Sequence, residues 1–260
     1  MKINELIKKL NKDYPEEIAL DFDNTGLNIG DGENIIKDIL ICVDVDMEAI
    51  KLAKEYNCNL IISHHPLTFN SYKNITTDIN SKRIKEVIKN NINVYSMHTN
   101  FDMNIDKGMA KLVFDKLDFK NVKNISHIEE FVYKKKKYGM GICFELPKAM
   151  HLDDIYNKSI KILELDDKKT ALYKVKDNVK SICIMPGSGR SDVSYVIKKK
   201  FDLFITSDLS HNDILDLVDS NINYINLTHY GLEKVFVDYM CRYVSKFVKR
   251  KSFCKYYSNM

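Results

Sequence analysis

An α/β fold of two similar βα lobes is predicted by three features of this sequence. Apolar runs of strand length alternate with stretches of helical periodicity along most of the chain. The alternation recurs. Ile41-Cys42-Val43, a helix and Leu60-Ile61-Ile62-Ser63-His64 correspond to Ile182-Cys183-Ile184, a helix and Leu203-Phe204-Ile205-Thr206-Ser207, with separations that differ by only a residue or two. Polar, chemistry-bearing residues also gather just beyond the strand ends, where open α/β folds bind ligands. The recurrence suits either a duplication or the ordinary likeness of any two βα units. A duplication would place a site in the cleft between two related lobes.

The elements follow in order. Met1 to Glu5 opens an amphipathic helix and lacks the apolar core of a signal peptide. Ile39 to Val43 reads as a strand, and Met47 to Tyr56 as a helix with Ile50, Leu52 and Ala53 on one side. Asn59 to Ser63 is a short buried strand closed by His64 and His65, and Pro66 prevents its continuation. A helix over Arg83 to Lys89, a strand over Ile92 to Met97 and a helix over Met109 to Leu117 complete the first half. Residues 120 to 175 are less regular, with a strand from Gly139 to Leu146 and a helix from Leu152 to Ile162. The rhythm then resumes. Strands over Ser181 to Met185, Leu203 to Thr206 and Tyr224 to Leu227 alternate with a helix over Asp192 to Lys199. A long last helix, Leu232 to Val248, carries Val235, Phe236, Tyr239, Met240 and Val244 at core spacing.

Composition narrows the function. The chain has 260 residues, 45% hydrophobic, enough for one large domain or two small lobes. Its 40 basic and 36 acidic residues give a net charge of +4, a balance that argues against a nucleic-acid partner. The run Lys134 to Lys137 reads as a solvated loop or strand end rather than a phosphate patch. Six scattered cysteines form no Cys-x-x-Cys pair, so neither a zinc ribbon nor a secreted disulfide framework is expected. No apolar stretch is long enough to cross a bilayer. A reduced, cytoplasmic protein is the expectation.

Five groups sit where a strand ends or a helix begins: His64, His65, Asp102, His229 and Glu233. Three of the seven histidines in the chain are among them. His229 and Glu233 are four apart at a helix entry, so both lie on one face. Imidazole nitrogen with carboxylate oxygen suits zinc, manganese, iron or nickel rather than calcium or magnesium. Five protein ligands exceed what one tetrahedral catalytic zinc takes and fit a pair of ions sharing Glu233. Each signal taken singly also has a plain structural reading: a capped strand end, a surface ion pair, or, for Asp102, a helix cap.

The segments Asp23-Asn24-Thr25-Gly26-Leu27, Ile61 to Leu67, His98-Thr99-Asn100-Phe101-Asp102, Gly187-Ser188-Gly189, Ile205-Thr206-Ser207-Asp208 and Thr228 to Glu233 together resemble the Nif-three-like family. Its members are described as GTP cyclohydrolase I type 2 homologues and as dinuclear-metal hexameric proteins. The resemblance spans nearly the whole chain and implies a single Nif-three-like domain over residues 1–260, with lobes near 1–125 and 126–260. It implies two divalent metal ions per subunit, held in a cleft between the lobes by the five groups above with Glu233 bridging, and a toroidal homohexamer. The stretch from 120 to 175 matches the short form, which lacks an inserted domain. Two departures stand out: Thr228 where glycine usually precedes the histidine, and Ser207-Asp208 where Gly-Asp or Gly-Glu is usual.

The implied activity is metal-dependent hydrolysis of a nucleotide or related small molecule, with His98 as candidate for proton transfer or for orienting a ligand. His98 can equally be a packed strand-end residue. The Gly187-Ser188-Gly189 turn can present amides to a phosphate or be an ordinary tight turn, and no Lys-Ser/Thr follows it as in a Walker loop. The alternative is a metal-binding assembly or regulatory partner with no turnover of its own.

Overall fold

Ile39, Leu40, Ile41 and Cys42 are all fully buried, as are Leu60, Ile61, Ile62 and Ser63. Unbroken burial along a run is the mark of a parallel strand covered on both faces. The computed structural model describes residues 1–248 and 253–258 and places these runs side by side in one sheet.

The chain begins with α1 (Ile3–Leu10), which buries Ile3, Leu6 and Leu10 at helical spacing. After β1 (Gly26–Ile29) and β2 (Asp38–Cys42) comes α2 (Met47–Glu55), whose first turn is capped by the Asp46 carboxylate accepting from the Ala49 amide at 2.7 Å. Next are β3 (Cys58–Ser63), α3 (Ile79–Lys89), β4 (Asn93–Ser96) and α4 (Thr99–Asp102). Asp78 caps α3 at the Ser81 amide, so that helix starts four residues before the Arg83 expected from periodicity.

A second compact unit runs from Asp102 to Glu233. It contains α5 (Met109–Leu117), β5 (Lys123–Tyr133), β6 (Lys136–His151), α6 (Leu152–Leu163), β7 (Ala171–Tyr173) and β8 (Asn178–Ser188). Then come α7 (Val193–Lys199), β9 (Leu203–Ser207), α8 (His211–Asp219), β10 (Asn223–Asn226) and α9 (His229–Glu233). In the less regular stretch the expected strand lies within β6 and the expected helix is α6, while β5, which was not expected, pairs with β6 as a long hairpin. Three register shifts along that pairing break the two-residue alternation by which a strand is recognised. Lys134 and Lys135 form its exposed turn, both with positive φ (45° and 68°), as a two-residue type I′ turn requires.

The last helix also differs from expectation. It is two pieces, α9 and α10 (Val235–Val244), interrupted at Lys234. There the chain leaves the second unit, and α10 and β11 (Phe253–Lys255) belong to the first. The first unit's sheet has the order β1-β4-β3-β2-β11, and the second unit's the order β5-β6-β8-β9-β10-β7. β2, β3 and β4 are mutually parallel, as are β8, β9 and β10. All six cysteines are free thiols, and burial pushes the Cys42 thiol well above its ordinary pKa. No helix among the described residues is long and apolar enough to cross a membrane.

Candidate metal centre

The ladder of the first sheet continues one step past the strand ends. The His64 amide donates to Cys42 O at 3.2 Å, the His65 amide to Val43 O at 2.9 Å, and the Met97 amide to Ser63 O at 2.9 Å. Both histidines are therefore fixed by backbone bonds before their side chains make any contact. His98 follows β4 and reaches the same place. The three ring centroids lie 5.0 to 5.4 Å apart, and one ring nitrogen from each falls within 4.8 Å of the others.

Each ring is oriented by a different oxygen. His64 Nδ1 donates to Met97 O at 2.8 Å, and a carbonyl can only accept, so Nδ1 holds the proton and Nε2 the lone pair. His65 Nδ1 faces Asp44 Oδ1 at 2.8 Å, and His98 Nδ1 faces Asp23 Oδ1 at 2.9 Å. The same tautomer follows for both. Histidines that ligate metals are held this way, by a carboxylate or carbonyl on the remote ring nitrogen. The His64 ring is fully buried and packs on Phe236 and Phe101, with centroids at 5.3 and 6.1 Å.

Burial alone would raise the Asp23 pKa. Its hydrogen bonds from His98 and from the Thr99 amide and hydroxyl outweigh that, and hold the carboxyl below the usual aspartate range. Asp23 is thus an anion at neutral pH, which suits it to stabilise a protonated His98.

The second unit carries a matching arrangement. His229 Nδ1 faces Asp208 Oδ2 at 2.5 Å, and its Nε2 lies 3.2 Å from Glu233 Oε1, one helical turn away. The Glu233 side chain is only 4% exposed. It fits because residue 187 is glycine: a Cβ there would meet Glu233 Oε1 at 2.8 Å, and Gly187 has a φ of +73° that L side chains rarely adopt. Thr206 and Ser207 hydroxyls donate to Gly187 O at 3.2 and 2.6 Å and fix that turn.

Among the expected residues, His64, His65 and His98 are therefore brought together in one unit, and His229 and Glu233 in the other. Asp102 ends α4, one turn after His98 in sequence. The donor set is of the kind that borderline divalent metals take. It fits. Asp44, Asp23 and Asp208, which orient the imidazoles, have no role assigned from the sequence, and Gly187, read there as part of a turn that presents amides or simply turns the chain, makes room for Glu233. For Asp23, Asp208 and Gly187 a signal existed, since all three lie in the segments that resemble a known family. Asp44 had none.

Comparison with known proteins now decides the family. The model of the Duf34/NIF3 (NGG1p interacting factor 3) family matches residues 1–258. This chain belongs to the Duf34/NIF3 family. A Clostridium acetobutylicum relative named GTP cyclohydrolase 1 type 2 homolog is 33% identical over 242 residues, covering 90% of this chain and 85% of its own length. A Helicobacter pylori protein named GTP cyclohydrolase 1 type 2 is 30% identical over 242 residues, with 90% and 88% covered. In structure, this Duf34/NIF3 chain is similar to Staphylococcus aureus protein SA1388, with a TM-score of 0.85 at 24% identity and 100% and 97% covered. A Bacillus cereus protein related to NIF3 gives the same TM-score at 20% identity, with 100% and 97% covered. These likenesses establish the mixed α/β NIF3 fold.

Proposed function

We propose that this Duf34/NIF3 chain is a metal-dependent hydrolase acting on a nucleotide or related small molecule. In this reading His64, His65, Asp102, His229 and Glu233 hold two divalent ions, drawn from zinc, iron, manganese or nickel, with Glu233 shared between them. One observation carries the proposal. Each of the three ligating imidazoles, His64, His65 and His229, has its Nδ1 turned to an oxygen, which leaves Nε2 to ligate, and Asp23 holds His98 the same way. A packing role would not need one tautomer four times over.

Bound there, divalent ions supply Lewis acidity and a water of lowered pKa. The chain's own residues do the rest. Asp44 and Asp208 keep the rings of His65 and His229 in register. His98 takes and returns a proton at Nε2, and Asp23 stabilises the imidazolium while the proton is held. Phe101 and Phe236 keep water from the inner side of His64.

The test is elemental analysis of protein purified without added metal, followed by assay of GTP and a nucleotide panel before and after chelation. Two ions per chain in the wild type, none or one weakly held in Glu233→Ala, and one in Asp102→Ala are expected. Equal loss from both variants would remove the shared-carboxylate assignment. The family's description as an interacting factor favours a second reading, a metal-binding regulatory assembly without turnover. A metallated protein that hydrolyses nothing on the panel would select it. Both readings place a homohexamer in the cytoplasm, which size-exclusion chromatography with light scattering and cell fractionation would check.

A further inference from the structure

A cavity of about 610 Å³ opens in the first unit beside His98. It is lined by Asp23, which orients His98, and the Phe69 ring in its wall meets the His98 ring edge-on at 5.5 Å. Its size is that of a pocket for a small molecule.

The lining is unusual in two ways. Phe22, Phe69, Tyr72, Ile75 and Ile88 all line it, and all five are exposed, Phe22 at 65% and Phe69 at 48%. Five of the sixteen large exposed hydrophobic side chains among the described residues thus surround this one cavity. Its charged lining consists of Asp21 and Asp23, with no lysine or arginine among the described lining residues. A phosphate would meet two carboxylates and no cation there, whereas a flat, uncharged or cationic ring would meet aromatic faces and amide and hydroxyl groups.

The walls are also pinned in place. Asn24 Nδ2 donates to Thr68 O at 2.6 Å, Asn28 Nδ2 donates to Asn24 O at 2.7 Å, and Asn28 Oδ1 accepts from the Leu67 amide at 3.1 Å. These bonds tie the loop carrying Phe69 to the segment carrying Phe22 and Asp23. The Asp23-Asn24 pair therefore serves both sides, orienting His98 with one residue and building the cavity with the next. A pocket held open in advance loses less freedom when a ligand arrives.

We propose that this cavity seats the planar heteroaromatic ring of the substrate, a nucleoside-type base, and that it accepts the ring without phosphate. What then happens to the ring beside His98 rests on the hydrolase reading. The seating itself does not.

The test uses the full chain, as purified and after chelation, titrated with guanosine and adenosine by calorimetry. Saturable binding of at least one nucleoside is expected in both preparations. Phe22→Ala and Phe69→Ala should each weaken it about tenfold, the loss of one stacking contact, with metal content unchanged. Phe22 is exposed enough that its removal leaves folding intact even where the Phe69 variant does not. Inorganic tripolyphosphate and hexanol should not displace the nucleoside. The proposal falls if neither nucleoside binds, if both variants bind as tightly as wild type, or if tripolyphosphate or hexanol competes equally. A chain that binds guanosine but holds no metal would overturn the metal reading and leave the cavity assignment standing.

Discussion

In the first unit an antiparallel edge strand, β1, flanks three parallel strands in the order β4-β3-β2; in the second, β7 flanks β10-β9-β8 in the same arrangement. The registers agree as well. Ile39 pairs with Leu60 and Leu60 with Asn93, while Ile182 pairs with Leu203 and Leu203 with Asn223. Counting from these pairs sets His64-His65 against Ser207-Asp208, Thr99 against His229 and Phe101 against Gly231, whereas β8 shifts register between Ile184 and Ser188 and has no such match beyond Ile184. Matching scaffolds thus hold different chemistry at matching positions. The first unit supplies imidazoles backed by aromatic rings, and the second supplies one imidazole and a carboxylate backed by glycines. Strand ends tolerate such divergence because their side chains leave the sheet, whereas the buried runs behind them cannot change without cost.

The largest break in this comparison is expected at Phe101 and its counterpart. Phe101 is fully buried and stacks on Tyr14 at 5.0 Å and on Phe236 edge-on at 5.0 Å. Phe101→Ala should cost about 3–5 kcal/mol in urea denaturation and loosen His64. Gly231→Ala acts the opposite way. Its new Cβ would lie 2.6 Å from Thr228 Oγ1 and 2.9 Å from a Leu165 methyl, an overpacking of about 1–3 kcal/mol. Equal costs at the two positions would dissolve the contrast between an aromatic and a glycine backing.

Next in size are changes at Gly187, which lies against Glu233, and at Asp44, which lies against His65. Gly187→Ala pushes a methyl against Glu233 at a backbone angle that disfavours any side chain, for about 1–3 kcal/mol of strain and, on the proposed metal reading, loss of an ion. Asp44→Asn keeps the shape but removes the charge behind His65. Its effect should be confined to metal affinity, about 10- to 100-fold, with denaturation nearly unchanged. Elemental analysis across a chelator series separates the two outcomes. If Gly187→Ala keeps its metal, the glycine is an ordinary turn.

These examples also show what the sequence could reveal. β2, β3, β9 and the Ile182–Met185 run of β8 were legible because continuous burial leaves continuous apolar runs. β5 was not, since most of its residues are exposed and its pairing is bulged. α8 buries only Leu217 and so carries no stripe to read. The return of α10 to the first unit depends on contacts such as the Tyr14 and Tyr239 hydroxyls at 2.5 Å, 225 residues apart, which leave no local mark. The site divides in the same way. His64, His65 and His229 announced themselves by sitting at strand ends, whereas Asp44 reaches His65 across 21 residues and only the sheet register puts it there.

A smaller effect distinguishes the units at the other end of the strands. The residue before each buried leucine ties down a neighbouring segment: Asn59 Oδ1 accepts from the Lys37 amide at 2.7 Å, and Asp202 Oδ2 from the Lys180 and Ser181 amides at 2.8 and 2.9 Å. Only Asp202 titrates. Burial would raise its pKa, but the Lys176 ammonium and the two amides more than offset this and hold it below the ordinary aspartate range. A carboxyl depressed in the folded state contributes fully above its unfolded pKa, and that contribution is lost as pH falls through the folded value. Asp202→Asn should therefore cost about 1 kcal/mol or less at neutral pH and flatten the decline of stability as pH falls below the ordinary aspartate range. An unchanged acid slope would show that Asp202 is not part of the acid response.

The smallest expected effect concerns Thr228, which stands at the position of His98 but with a φ of +60°, in the left-handed region. A β-branched residue there is strained by about 1–2 kcal/mol, and glycine is not. The threonine persists because its Oγ1 accepts from the Gly231 amide at 3.0 Å, capping the short helix that carries His229 and Glu233. That cap is worth about 1 kcal/mol. Thr228→Gly removes strain and cap together, so stability should move by less than about 1 kcal/mol in either direction. Thr228→Ala removes the cap and keeps the strain, and should destabilise by about 1 kcal/mol. The informative readout is metal affinity. If the hydroxyl positions His229 through the helix start, both variants weaken binding alike, whereas strain held at the site for function would make the glycine variant the weaker of the two.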